Sequence, residues 1–152
     1  GEVQRGDGAD VPDGPMLRGA LRELVLAPAA DHSLKALNLD VEWEAEQRHQ
    51  ALKNLLRDVG PEWNDPEQSA FAFAALLYAR AAIEHPRWES LAPVFQKKLP
   101  EASQRGAEVE SAVRENGWTS PGACLQSLLA ARELTGLNEI AGILDRRTAA
   151  TL

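Results

Sequence analysis

The amino-acid sequence predicts an all-α domain: a compact bundle of six to eight helices around a central apolar helix, with a disordered N-terminal tail. Three observations carry that prediction. Ala and Leu supply most of the apolar mass while β-branched residues are sparse, and Ala and Leu lose little on entering a helix. Stripes at helical spacing alternate with Pro and Gly punctuation along the whole chain. The run Ala70 to Ile83 is apolar on every side apart from Arg80, so a helix built on it must be surrounded by others. No run alternates with period two for long enough to predict a strand.

Residues 1 to 14 hold four glycines, a proline and three aspartates, too little apolar surface to offset ordering, and read as a disordered tail or linker. Residues 15 to 152 then form a single helical domain. Its first helix starts at Pro15, carries Met16, Leu17, Ala20, Leu21, Leu24 and Val25 on one face, and stops at Pro28. A short turn of helix is expected within 31 to 39. Asp40 caps a helix from Val41 to Val59 whose stripe is Val41, Ala45, Leu52, Leu55, Leu56 and Val59.

Asp65-Pro66-Glu67-Gln68 is the strongest helix start in the chain, a cap, a first-turn proline and a residue able to reach back. It introduces the central helix, Ser69 to Glu84. A short helix with Trp88, Leu91 and Phe95 follows, bent or split at Pro93. A mostly polar outer helix runs from Pro100 to Glu115, and Asn116-Gly117 ends it. Ser120-Pro121 opens the next, with Cys124, Leu125, Leu128, Leu129 and Ala131 or Leu134 in its stripe. After Gly136 a last helix uses Leu137, Ile140, Ala141 and Leu144.

Composition limits the functions available. The chain has 152 residues, 44% hydrophobic and 26% charged, with a formal net charge of −7. That charge disfavours nonspecific nucleic-acid binding and suits a soluble protein or one that meets a basic partner. The single Cys124 excludes an intramolecular disulfide and a cysteine zinc site, and points to a reducing, cytoplasmic setting. The apolar run is too short to span a bilayer, so no membrane partner is expected. Gly1 and the Thr151-Leu152 end read as boundaries of a piece of a longer protein.

Three motifs bear on chemistry. Arg80-Ala-Ala-Ile-Glu-His85 sets an arginine and a histidine five residues apart on a helix. This R-x4-H spacing resembles the signature of HEPN-type helical ribonucleases, in which such residues from two protomers meet at a dimer groove. The resemblance covers six residues and departs from the family at Ala81, where a polar residue is common. It implies that Arg80 would stabilise charge developing on a phosphate and that His85 would act as general acid or base. The residues themselves support a plainer structural reading: Arg80 pairs with Glu84 one turn on, and His85 caps the helix before Pro86.

Glu46-Gln-Arg-His49 has the E-x-x-H spacing that di-iron four-helix bundles use twice. Here it occurs once, so a solvated helix face is the better reading, with neither a metal nor a cofactor expected. Leu137 to Leu152 resembles the helix-turn-helix of winged-helix regulators, with Ala141 at the helix contact and Arg146, Arg147 and Thr148 opening a reading helix. The usual turn after Leu144 is missing, and the arginines more simply complement a helix C-terminus. Cys124 sits on an apolar stripe and reads as a buried, inert thiol.

Trp63, Trp88 and Trp118 each fall at a helix junction, where a large ring plugs the end of a bundle. Where such a ring is exposed it is an anchor for a partner. With no convincing catalytic set, the leading expectation is a noncatalytic protein–protein interaction domain. It would hold another protein or peptide in an apolar groove rimmed by acid, and homodimerisation is compatible with it. The alternatives are a HEPN-like dimeric ribonuclease using Arg80 and His85, and an acidic inhibitor or immunity-type protein that masks a basic partner. No family resemblance extends across the chain as a whole.

Overall fold

The computed structural model describes residues 2–5, 13–36, 42–138, 141–145 and 150–152. It is an all-α multi-helix bundle with six α-helices among these residues, joined by a small sheet at one end. The order is β1 (Glu2–Arg5), α1 (Gly14–Ala36), α2 (Glu42–Asp58), a 3-10 turn (Pro61–Asn64), α3 (Ser69–Glu84), α4 (Trp88–Lys98), α5 (Pro100–Asn116), α6 (Pro121–Leu134), β2 (Ala141–Asp145) and β3 (Ala150–Thr151).

The apolar helix is the axis, as its composition demands. Nine of the sixteen residues of α3 are buried and none is exposed. It separates two apolar clusters. Ala72, Leu76 and Ala79 face Leu17, Leu21 and Leu24 of α1, Val109 and Val113 of α5, and Leu125 and Leu128 of α6. Phe71, Ala74, Tyr78, Ala81 and Ala82 face Leu52 and Leu56 of α2, and Leu91 and Phe95 of α4. The half-buried residues Phe73, Leu77, Arg80 and Glu84 recur at helical spacing, forming a seam along one flank of α3.

Local chemistry explains most boundaries. The Ser120 hydroxyl accepts the Ala123 N–H at 3.1 Å and starts α6 as its spacing predicts. Gly117 ends α5 with φ +82°. The start of α5 is capped from a distance: Asn64 Oδ1 accepts the N–H groups of Glu101 and Ala102 at 2.8 and 3.1 Å. At the other end of α5, the Arg114 guanidinium donates to the Ala82 carbonyl of α3 at 2.9 Å.

Several expectations need correction. The helix at Pro15 does not stop at Pro28 but runs on to Ala36. Ala27, Ala29 and Ala30, the best helix formers, surround the one missing donor. The α4 helix likewise runs through Pro93 without a break. Asp65 does not cap α3. Its Oδ1 accepts the Glu67 N–H at 3.0 Å, closing a turn two residues on, and α3 begins only at Ser69. The polar helix α5 is not peripheral, because Ala102, Ser103, Gly106, Val109 and Val113 are buried and Gly106 lies directly on Tyr78. Asp40 and Val41 lie outside the described residues.

The largest departure joins the two ends of the chain. Glu2–Arg5, within the stretch read as a tail, pairs antiparallel with Ala141–Asp145, Val3 opposite Ile143. Leu144 in turn pairs with Thr151. The expected last helix and the winged-helix arrangement therefore give way at 141–145 to a strand, with Ala141 and Ile143 fully buried. Arg146, Arg147 and Thr148 lie outside the described residues. The Arg132 guanidinium of α6 ties this sheet down, donating to the carbonyls of Ala141 and Leu152 at 3.1 and 2.6 Å. No helix among the described residues is long and apolar enough to cross a membrane.

Candidate functional site

Charged and titratable side chains gather where the C-terminal end of α3 meets α2. The apolar floor comes first. Leu52 and Leu55 of α2 and Leu77 and Ala81 of α3 line a groove of about 210 Å³, with Arg48, Arg80, Glu84 and His85 around it. The acidic rim expected from the sequence does not describe it. Two arginines and a histidine stand there against one carboxylate.

Glu84 organises that rim. Its Oε1 receives Arg80 Nε at 2.9 Å, one helical turn back, and Arg48 Nη1 at 3.1 Å from α2. The carboxylate is nearly enclosed, its side chain 6% exposed, while the Arg80 and Arg48 side chains are 30% and 28% exposed. The pairing of Arg80 with Glu84 is the structural reading of the motif. The arrangement goes further, because two guanidiniums share one oxygen and the other, Oε2, has no hydrogen-bond partner. The trio carries a net positive charge.

His85 is the residue that closes α3, its N–H donating to the Ala81 carbonyl at 2.8 Å. Its Nδ1 accepts the Arg87 N–H at 3.0 Å, so the neutral ring carries its proton on Nε2. That Nε2 is buried and unpartnered. Burial, helped by the nearby His49, Arg48 and Arg87, holds the His85 pKa below the ordinary histidine value.

The two motifs singled out separately meet here. The His49 ring lies 5.1 Å from that of His85, tilted by 58°. His49 is 7% exposed, with Nδ1 unpartnered, and is therefore not on a solvated face. Its position could be read from spacing, since His49 falls four residues after Ala45, three before Leu52 and seven before Leu56, on the apolar stripe itself. Glu46 turns elsewhere, forming an ion pair with Arg87 and accepting from Gln50 at 3.2 Å. The Gln50 hydrogen bond, then Arg87, lowers the Glu46 pKa. Among the described residues no group of three or more His, Cys, Asp or Glu side chains is placed to hold a metal ion.

Trp63, Trp88 and Trp118 occupy packing positions. Trp63 meets Phe73 edge-on at 5.3 Å, and Trp88 meets Tyr78 edge-on at 4.8 Å. Trp118 is half-buried against the α1–α6 side of the core. Among the described residues the exposed large apolar side chains are instead Met16 of α1, Val94 of α4 and Leu152. Cys124 is only half-buried, and its thiol reaches the Trp118 carbonyl at 3.2 Å.

Sequence reasoning missed Arg48, Arg87 and the second cation-rich cavity on the far side of α2, lined by His49, Lys53, Arg57 and Lys98. Each joins residues far apart in the chain, and no local spacing encodes them. Comparison of the chain with protein families, with curated proteins and with solved structures yields no match.

Proposed function

We propose that this chain is a noncatalytic interaction domain whose α2–α3 groove takes a short apolar segment bearing a carboxylate. The observation that carries this reading is the sharing of Glu84 Oε1 by Arg48 and Arg80 above an apolar floor. Each guanidinium has five donors in a fixed fork, and one carboxylate oxygen leaves most of them unused. Aliphatic side chains of a partner would fill the floor, and its acid would bridge the two arginines. The polarity differs from that of an inhibitor masking a basic toxin, because the groove itself is cationic in a chain of net charge −7. A reducing, cytoplasmic setting goes with this reading, resting on the single Cys124.

Selection of a random peptide-display library on the purified chain tests it. Enriched peptides should combine Leu, Ile or Phe with Asp or Glu, and Leu55→Glu, at a half-buried position of the floor, should abolish the enrichment. Enrichment of basic peptides, or enrichment indifferent to Leu55→Glu, refutes it.

One observation favours a second reading, the dimeric ribonuclease. Arg80 and His85 line the same groove, and His85 Nε2, the atom that would carry the proton, has no protein partner. That reading requires a symmetric dimer across the groove. It also requires Arg80→Ala and His85→Ala each to abolish RNA cleavage while leaving the helical circular dichroism intact. A purified chain that leaves single-stranded RNA uncut disposes of it.

A further inference from the structure

The second cavity lies between α2 and α4, on the opposite side of the His49–His85 contact from the groove just described. Its volume is about 460 Å³, within the range of sites that enclose a small organic molecule. Lys53, Arg57 and Lys98 stand around it, Leu91 and Val94 form an apolar wall, and no carboxylate is among its lining residues. The charged side chains in the lining are all cationic, in a chain with 23 acidic and 16 basic residues, and the nearby acid, Asp58, hydrogen-bonds the Arg57 guanidinium from outside it.

The site is partly organised in advance. Lys98 Nζ donates to the Arg57 carbonyl at 2.9 Å, which fixes α4 against the end of α2 and holds the ammonium at the cavity. Arg57 is steadied by Asp58, at 3.1 Å, which lies outside the lining. His49 lines the same cavity, is 7% exposed, and its Nδ1 has no hydrogen-bond partner.

We propose that this cavity binds a phosphate monoester with a compact apolar or aromatic body. Lys53 and Lys98, beside an Arg57 already paired with Asp58, leave a net positive charge that favours a doubly charged anion over a carboxylate, and their separate donors suit the terminal oxygens of a phosphate. The Leu91–Val94 wall and the volume accommodate more than the bare ion. A free phosphorylated small molecule and a phosphorylated side chain share this chemistry.

Calorimetric titration of the whole chain with phenyl phosphate, with inorganic phosphate and with a phosphotyrosine peptide tests the proposal, with amide chemical shifts locating the site. Saturable binding of phenyl phosphate is expected, tighter than that of inorganic phosphate, with shifts centred on Lys53, Ser90 and Lys98. The exposed double substitution Lys53→Gln and Lys98→Gln should weaken it at least tenfold while leaving the helical circular dichroism intact. Tighter binding of the peptide assigns the source to a phosphorylated side chain, and equal binding assigns it to a free monoester. No saturable binding, affinity unchanged in the double variant, or shifts confined to the α2–α3 groove overturns the proposal. The last of these outcomes leaves the peptide-groove reading untouched.

Discussion

Gly106 is where the packing of α5 on the central helix can be tested with a single methyl group. A Cβ built there lies 2.6 Å from Tyr78 Cβ and 2.7 Å from its Cγ and Cδ1. Comfortable carbon–carbon contact is about 3.5–4.0 Å, so Gly106→Ala forces a displacement on the order of 1 Å. The atoms struck are at the root of the Tyr78 side chain, which cannot swing away. Its ring is held edge-on by Trp88 at 4.8 Å and Phe95 at 5.3 Å. Overpacking of this kind costs about 1–3 kcal/mol, against about 1 kcal/mol gained when Ala replaces Gly inside a helix. With three contacts at 2.6–2.7 Å the cost falls in the upper part of that range, about 2–3 kcal/mol, so the expected net loss is about 1–2 kcal/mol, or roughly 2–8 °C in Tm for a chain of this size. Gly19, in the interior of α1, is the control, because a Cβ there meets nothing within 4 Å. Gly19→Ala should stabilise by up to about 1 kcal/mol. Urea unfolding followed by circular dichroism compares the two at matched m-values. Equal shifts of the same sign, or a Gly106→Ala protein as stable as the parent, would refute the close approach of α5 to α3.

Three further outcomes follow from the charge cluster and the caps. Glu84→Gln should destabilise by about 1–2 kcal/mol in urea unfolding, less than a fully buried pair because both arginines keep contact with water. Because the His85 pKa is lowered, chiefly by burial, the unfolded chain binds the proton first as pH falls. Stability should therefore be full above about pH 6.5 and decline as pH drops through the folded value; His85→Asn, which keeps an acceptor for the Arg87 N–H, should flatten that slope. Asn64→Ala removes the acceptor for two N–H groups at the start of α5 and should cost about 1–2 kcal/mol, whereas Asn64→Asp should retain most of the stability.

What was legible in the sequence is what short-range spacing encodes. The apolar run Ala70 to Ile83 announces the central helix because nothing in it but Arg80 suits a water-facing side. Ser120-Pro121 and Asn116-Gly117 mark their helix ends through groups within a few residues of each other. Arg80 and Glu84, one turn apart, declare their ion pair for the same reason. Pairings between distant segments left no such mark. Val3 and Ile143 belong to a sheet whose strands lie at opposite ends of the sequence, and four residues of Glu2–Arg5 are too few to register as period two. Gly106 looks like a weak point in a polar helix until Tyr78 is seen beneath it. Asp65 showed that the same cap residue also closes a turn, with the choice made by the chain that follows. The candidate site combines both cases. Arg80, Glu84 and His85 are written locally on α3, while Arg48 and His49 join them only through the packing of α2.

Native-state hydrogen exchange along α3 tests the organising role of this helix most directly. Amides of residues 74–82, enclosed between the two apolar clusters, should exchange only through global unfolding, with a free energy equal to that from urea denaturation. Exchange of these amides well before those of α5 and α6 would contradict it, and would mean that the bundle holds together without its central helix.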